Sequence, residues 1–247
     1  MTAQAPVRGS YGIDSPATLF GLASAAVLLT AATIATAVLA GPAVAVAPAV
    51  LAVVFLFSAG CYLHATKRGK FRVWAEILDE AGLRGDERVL DLGCGRGAVL
   101  LAVAGRLTTG HAVGVDLWQT RDQSGNAQDT TERNASAERV RDRIELHTGD
   151  LRELPFGDGE FDVVVSSLAI HNISPAAERA KAIEEAVRVL RPGGRLFVVD
   201  IFGTPRAYRD HLTELGVTGI QVRPAGWRMW WGGPWGSSEL VTAVKPE

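Results

Sequence analysis

The segment from Ser15 to Leu63 contains no Asp, Glu, Lys, Arg or His, and such a long uncharged segment is hard to place in a soluble fold. It divides at Gly41-Pro42 into two apolar halves, residues 18–40 and 43–65. A helix rises about 1.5 Å per residue, so each half is long enough to cross a hydrocarbon layer of roughly 30 Å. The pattern therefore predicts a transmembrane hairpin of two helices.

Basic residues follow directly after the second half, at Lys67, Arg68, Lys70 and Arg72. By the positive-inside rule this end of the hairpin, and the protein behind it, faces the cytoplasm as part of a multi-pass membrane protein. A signal peptide, a single or re-entrant span and a buried core hairpin are the alternatives. The signal peptide is disfavoured because its basic region would be Arg8 alone and a second apolar run follows.

Nearly all charge lies from Lys67 onward, since Arg8 and Asp14 are the only earlier charged residues. We therefore expect two parts, a membrane hairpin over residues 1–66 and a globular domain over residues 67–247. The net charge of −2 gives no indication of nucleic-acid binding. The two cysteines, Cys61 and Cys94, have neither disulfide nor metal-site spacing, so no metal is expected.

The globular part alternates between strand-like and helix-like segments, which predicts a mostly parallel α/β sheet with helices on both faces. Predicted strands are 88–92, 111–116, 144–147, 161–166 and 195–201, and predicted helices include 71–81, 98–106, 175–190 and 205–215. Ser174 is the expected N-cap of the third of these helices. The final strands, 220–223 and 240–244, have no helix between them, which predicts an antiparallel closing pair.

A glycine loop follows the first predicted strand, with Gly93, Gly95 and Gly97 at alternate positions and Asp91 two residues before the first of them. Glycine allows positive φ and lets a ligand lie against the backbone at a strand end. A dinucleotide site would space its glycines as Gly-x-Gly-x-x-Gly. The spacing found here suits a ligand with a cationic amino-acid end and no pyrophosphate.

Two further acids end the next two strands. Asp116 lies 19 residues after Gly97, where a carboxylate can accept hydrogen bonds from both ribose hydroxyls. Asp150 follows Gly149 after the third strand, where it can accept from an adenine amino group while the N–H of Leu151 donates to the ring. One such acid is commonly a turn residue, but three at successive strand ends favour a nucleoside pocket.

These motifs resemble those of class I S-adenosylmethionine-dependent methyltransferases, particularly the group acting on small molecules and lipids. The resemblance covers roughly residues 71–244 and is carried by VLDLGCGRG (Val89–Gly97), VGVDLW (Val113–Trp118), GDLRELPF (Gly149–Phe156), FDVVVSSLAIHNI (Phe161–Ile173) and VLRPGGRLFVVD (Val189–Asp200). It implies a Rossmann-like seven-stranded sheet with an antiparallel last strand, and S-adenosyl-L-methionine as the cofactor.

The same resemblance implies the cofactor contacts. Asp91 and the loop from Gly93 through Cys94 and Gly95 to Gly97 would hold the methionine end. Asp116 would hold the ribose; Gly149, Asp150 and Leu151 would hold the adenine; and Ser167 and Leu168 would lie beside the sulfonium. Leu117 and Trp118 follow the ribose acid and are added as candidates from their position: Trp118 could flank the adenine, or the segment could simply begin a helix. The fourth strand lacks the Asn/Asp-Pro-Pro-Tyr motif of methyltransferases acting on nucleic-acid amines, so a base amine is not expected as the acceptor.

Candidates for the acceptor side are fewer. His171 is the best candidate for a general base because its unperturbed pKa suits proton removal at neutral pH; it could instead contact the cofactor or cap a helix. Asn172 follows it. Gln123 and Asn126 lie in a polar segment over residues 116–126, here termed the polar insert, which is longer than the family's usual link, and they could reach the cofactor or the acceptor.

A tryptophan-rich turn near the C-terminus holds four of the chain's six tryptophans, at positions 227, 230, 231 and 235. It is either a hairpin packed over the sheet edge or an anchor at a membrane interface, where tryptophan is favoured.

Together these features predict a membrane-tethered methyltransferase that acts on a small amphiphilic or lipid-like acceptor, with the acceptor atom open between oxygen, nitrogen, carbon and sulfur. The alternatives are a methyltransferase for a soluble phenol or amine, with the hairpin only as an anchor, and a non-catalytic cofactor-binding membrane scaffold. The intact glycine loop counts against the scaffold.

Overall fold

Two long apolar helices precede the sheet in the computed structural model, which describes residues 8–201 and 203–247. Helix α1 spans Pro16–Ala40 and helix α2 spans Pro42–His64. Proline stands at the start of each helix, where its missing N–H has no intrahelical partner to lose. Between them Gly41 has a φ of 93°, which reverses the chain so that the helices pack against each other. Both helices are long and apolar enough to cross a membrane by length and composition.

Helix α2 continues without a break into the globular part. One π-helical turn, Ala65–Gly69, leads into α3 (Lys70–Ala81), which ends at Gly82 with a φ of 59°. The inner face of α3 is apolar and buries Trp74 and Leu78. The proposed boundary at residue 66 therefore falls inside a single helix, and the division into two domains stays a prediction.

Seven strands form one sheet in the order β3-β2-β1-β4-β5-β7-β6. Their bounds are β1 Arg88–Leu92, β2 His111–Asp116, β3 Ile144–Thr148, β4 Phe161–Ser167, β5 Leu190–Ile201, β6 Thr218–Pro224 and β7 Ser238–Val244. Strands β1 to β5 pair in parallel, whereas β7 is antiparallel to both β5 and β6. The predicted mostly parallel seven-stranded sheet with an antiparallel last strand is confirmed.

Helices cover both faces of this sheet. They are α4 (Leu100–Ala104), α5 (Gln128–Glu138), α6 (Glu178–Val189) and α7 (Thr204–Glu214). Side chains alternate between the faces along each strand: Val89 packs on the side of α3, α4 and α5, whereas Leu90 packs on the side of α6 and α7. Because strands β1 to β5 are parallel, their carboxyl ends lie at the same edge of the sheet, and the cavity described below lies at that edge.

One predicted helix boundary is wrong. The helix expected over residues 175–190 with Ser174 as its N-cap begins only at Glu178. The N–H of Glu178 bonds the carbonyl of Pro175 and that of Arg179 bonds Ala176, so these residues make tight three-residue turns instead of an α-helical turn.

Residues 8–15, here termed the N-terminal strap, lie across α5 and the polar insert. The backbone N–H groups of Arg8 and Gly9 bond the carboxylate of Glu138, and that of Ser10 bonds the side chain of Asn134. Asp14 then pairs with Gln123 as an isolated antiparallel bridge. The strap therefore joins the start of the hairpin to the edge of the sheet that carries the glycine loop.

Candidate functional site

The glycine loop needs glycine at two of its positions for steric reasons. Gly93 has a φ of 72°, and a Cβ there would lie 2.2 Å from the Cβ of Ala169. Gly95 has a φ of 50°, and a Cβ there would lie 2.7 Å from Oε1 of Gln123. Ala169 and Gln123 thus pack tightly against the loop, and they line with it a cavity of about 440 Å³, a volume typical of small-molecule sites.

Asp91 lies at the floor of this cavity and is almost fully buried. Neither carboxylate oxygen accepts a hydrogen bond of ordinary geometry within the described residues. The pKa of Asp91 is raised to about 8, mainly by burial; the Leu100 N–H opposes this shift, and the nearby negative charge of Asp116 adds a smaller increase. A buried carboxylate without a partner is costly, and a ligand cation placed here would relieve that cost.

Asp116 faces the same cavity from the end of β2. Its Oδ2 accepts from the Gly95 N–H at 2.8 Å, and its Oδ1 accepts from the Trp118 N–H at 2.5 Å and the Asn126 amide at 3.2 Å. Burial raises the pKa of Asp116, and these three hydrogen bonds oppose the shift. The carboxylate is therefore held in one orientation at the mouth of the glycine loop.

The end of β3 contributes Gly149, Asp150 and Leu151 to the cavity wall. Both oxygens of Asp150 accept from the guanidinium of Arg152, and this interaction lowers the pKa of Asp150. Trp118 lies outside the cavity lining, and its indole N–H donates to the hydroxyl of Thr148 at 2.8 Å.

Of the other predicted cofactor residues, all but Gly97 line the cavity. Gly97 lies behind the lining, against Leu101 and Thr131. Lining residues include Cys94, Leu117, Ser167 and Leu168. Ser167 is fixed by the Trp74 indole, which donates to its hydroxyl at 2.8 Å, and Leu168 adopts a φ of 58° where the chain leaves β4.

His171 lines the cavity beyond β4, on a short turn over residues 170–172. Its Nδ1 lies 2.5 Å from Oδ1 of Asp200 and its backbone N–H donates to Oδ2 at 3.0 Å. Asp200 is fully buried and also accepts from the hydroxyl of Tyr208 at 2.9 Å. Sequence analysis did not identify Asp200 and Tyr208, although Asp200 lies near the end of β5 just as Asp91 and Asp116 lie near the ends of their strands.

The other predicted acceptor residues, Gln123, Asn126 and Asn172, differ in their burial and in their hydrogen-bond partners. Gln123 accepts from the Arg96 N–H through Oε1 and donates to Asp14 through Nε2, each at 2.8 Å. Asn126 is buried, and its Oδ1 has no partner within the described residues. Asn172 is exposed at the rim, where its amide donates to the carbonyl of Leu168 at 3.4 Å.

The opposite wall of the cavity comes from the leader and the tryptophan-rich turn. It is lined by Asp14, Ser15, Thr18, Tyr62, Lys70 and Trp231. Tyr62 and Trp231 pack edge to face with ring centroids 5.2 Å apart. Sequence reasoning missed this wall; its one signal was Asp14, an isolated acid before an uncharged segment. Among the side chains of residues 8–201 and 203–247, no group of three His, Cys, Asp or Glu could hold a metal ion.

Residues 90–198 match a family model described as a methyltransferase domain. A ubiquinone/menaquinone biosynthesis C-methyltransferase of Roseobacter denitrificans is 35% identical over 138 residues, which are 56% of this chain and 52% of that protein. A demethylmenaquinone methyltransferase of Beutenbergia cavernae is 37% identical over 138 residues, 56% of this chain and 50% of that protein. The chain spans about half the length of the curated relatives it matches.

Solved structures share the fold at lower identity. A [4+2]-cyclase has a TM-score of 0.59 at 21% identity, covering 71% of this chain and 81% of that one. A geranyl diphosphate C-methyltransferase from Streptomyces coelicolor, in complex with Mg²⁺, geranyl diphosphate and S-adenosyl-L-homocysteine, has a TM-score of 0.54 at 16% identity, covering 69% of this chain and 76% of that one.

Proposed function

The chain belongs to the class I S-adenosylmethionine-dependent methyltransferases, and from that premise we propose that it methylates a small amphiphilic acceptor at the cytoplasmic face of a membrane. The observation that carries the donor half of this proposal is the buried Asp91 carboxyl group, which lines the cavity and whose two oxygens accept no hydrogen bond of ordinary geometry within the described residues. The α-ammonium of S-adenosylmethionine is the cation that fits there.

The other donor contacts follow from the lining. Asp116 accepts from the ribose hydroxyls, Asp150 and Leu151 bind the adenine, and Ser167 and Leu168 border the sulfur. The bound cofactor supplies a methyl group on a positively charged sulfur. The protein's contribution is to align the acceptor with that methyl group and to exclude water.

His171 is the proposed proton acceptor. Asp200 takes a hydrogen bond from Nδ1, so the basic lone pair of the neutral ring is on Nε2. In the proposed step Nε2 would take the proton of the acceptor atom as that atom takes the methyl group, whose bond to sulfur would break and leave a neutral thioether. The buried Asp200 then stabilises the imidazolium, and Tyr208 and the His171 backbone N–H keep that carboxylate in place.

The acceptor half of the cavity supports an amphiphilic acceptor. Its wall includes Thr18 in the first turn of α1 and Tyr62 in the last turn of α2. An acceptor whose reactive head lies beside His171 therefore has apolar helices next to it, along which a hydrocarbon tail can extend. The names of the two relatives, which refer to quinone synthesis, support an acceptor of this class.

The base of the hairpin supports the membrane location. Trp227 stacks on His64, the last residue of α2, with ring centroids 5.1 Å apart. The exposed fractions of Trp227 and Trp235 are 57% and 64%, and the neighbouring Lys67 and Arg68 are exposed. Tryptophan and basic side chains at the end of an apolar helix pair suit the headgroup layer of the cytoplasmic leaflet.

The test is incubation of the full chain in detergent with methyl-labelled S-adenosylmethionine and either a lipid extract from the source organism or, in parallel, a set of soluble phenols and amines. We expect label in an extractable amphiphilic product, and none with Asp116→Ala. Label only in soluble phenols or amines would overturn the acceptor assignment. Cofactor binding without any labelled product would instead favour the non-catalytic, cofactor-binding alternative.

A further inference from the structure

Asp14 is the only acidic residue before Glu76, and it lies where the N-terminal strap, the hairpin helix and the polar insert meet. We propose that Asp14 is a positioning residue for the methyl-donor site, because it orients Gln123 on the glycine loop and so makes cofactor binding depend on the docked hairpin. This inference rests on the proposed function, which assigns the loop to the donor.

On the hairpin side, Asp14 is bound by three residues spaced four apart on one helical face. Lys70 donates to both carboxylate oxygens at 2.9 and 2.7 Å, and the hydroxyl of Thr66 donates to Oδ2 at 2.6 Å. The hydroxyl of Tyr62 donates to the Asp14 carbonyl at 2.9 Å. The Lys70 side chain is only 5% exposed, so its charge requires this carboxylate.

On the donor side, Asp14 contacts a single side chain. Oδ1 accepts from Nε2 of Gln123 at 2.8 Å, and Oε1 of the same amide accepts from the backbone N–H of Arg96 at 2.8 Å. A glutamine amide has one donating and one accepting end. Because a carboxylate can only accept, Asp14 fixes which end faces the glycine loop, where Oε1 also fills the space a Cβ at Gly95 would need.

Backbone hydrogen bonds extend this arrangement along the insert. The N–H of Ser15 donates to the carbonyl of Asp122 at 2.8 Å, and that of Ser124 donates to Ile13 at 3.0 Å. Asn126, in the same insert, donates to Asp116. A substitution at position 14 is therefore expected to shift both the glycine loop and the Asp116 carboxylate assigned to the ribose, although Asp14 contacts neither of them directly.

The test is a double-mutant cycle on the full chain in detergent micelles, with S-adenosylhomocysteine as the titrated probe. Dissociation constants are measured by calorimetry for the wild type, D14N, Q123A and D14N/Q123A, at a temperature where each is folded by circular dichroism. We expect each single variant to weaken binding roughly tenfold, as for the loss of one charged hydrogen bond. The double variant should bind no more weakly than Q123A, because both changes act through one amide.

D79N is the matched control. It breaks the ion pair of Arg106 with Asp79 on α3, the helix that begins with Lys70, and it should leave the dissociation constant unchanged. Wild-type affinity in folded D14N, or additive losses in the double variant, would overturn the inference. If D14N does not fold, Q123A alone decides, because its Asp14–Lys70 pair is intact and wild-type affinity there would also overturn it. A wild type that binds no probe would instead remove the proposed function, and this inference with it.

Discussion

Nδ1 of His171 lies 2.5 Å from Oδ1 of Asp200, a carboxylate with no exposed surface. His171 follows β4 and Asp200 is the next-to-last residue of β5, and the carboxyl ends of these neighbouring parallel strands meet at the cavity. The sheet therefore supplies an orienting acid behind the one histidine that faces the acceptor half of the cavity. This arrangement suits proton removal from an acceptor better than a contact to the cofactor.

The pair gives the first prediction. D200N should lower kcat by about 10²–10⁴-fold, the usual contribution of general base catalysis, because it removes the orienting carboxylate and favours the wrong ring tautomer. H171A should lower it to a similar extent. Neither variant should change the dissociation constant of S-adenosylhomocysteine more than about twofold, since neither side chain is assigned to the donor.

Y208F is the companion variant, because it removes only one of the hydrogen bonds to Asp200 and should lower kcat less than D200N. The measurement is initial-rate kinetics with the identified acceptor, alongside calorimetry of donor binding. A loss of donor affinity equal to the loss of kcat in H171A would assign His171 to the cofactor instead.

Asp91 gives a prediction about pH. Its pKa is about 8 in the ligand-free folded protein against an ordinary value of 3.8, so the folded state keeps a proton that the unfolded chain loses between these values. The free energy of unfolding should therefore fall as the pH rises from about 4 towards 8, because over that range the unfolded chain binds fewer protons than the folded state. D91N removes this effect and should flatten the pH dependence of the melting temperature over that range.

Donor binding should have the matching signature. Since Asp91 is mostly protonated at pH 7 and the donor's ammonium favours the carboxylate, binding of S-adenosylhomocysteine should release close to one proton. Calorimetry in buffers of different ionisation enthalpy measures this number. Binding without proton release would mean that the ammonium lies elsewhere.

Much of the fold could be predicted from local patterns. Alternating strand and helix segments, and the absence of a helix between the last two strands, were sufficient for the seven-stranded sheet with its antiparallel end. The start of α6 could not be predicted, because Ser174-Pro175 has the composition of a helix start. The turns that follow bond three residues back, and no residue pattern identifies them.

The donor half of the site was easier to predict than the acceptor half. Asp91 and Asp116 lie near the ends of their strands and Asp150 follows its strand, each within a short motif, so their approach to one another is set by local sequence and sheet order. The contacts of Asp14 with Lys70 and Gln123 join positions 56 and 109 residues apart. Such contacts depend on how the hairpin docks against the globular part, and that docking cannot be predicted from the spacing of residues along the chain.

The glycine loop gives a steric prediction. G93A should destabilise the protein by several kcal/mol, with about 1–2 kcal/mol from a left-handed alanine and about 1–3 kcal/mol from the overlap with Ala169. G105A is the control, since Gly105 has a φ of −66° and its nearest Cβ neighbour is 3.4 Å away. Thermal unfolding of the two variants checks this, and equal melting temperatures would contradict the packing described for the loop.

The tryptophan-rich turn gives a prediction about the membrane. Trp227 and Trp235 are exposed beside the end of α2, whereas Trp231 is buried against Ser238, to which its indole donates. In vesicles of lipid brominated near the headgroup, the fluorescence of the reconstituted full chain should be quenched, and W227F/W235F should lose most of that quenching. W118F is the control, because that indole is engaged with Thr148 on β3, so quenching should persist. Quenching that survives in W227F/W235F, or is lost in W118F, would place the tryptophan-rich turn away from the bilayer surface.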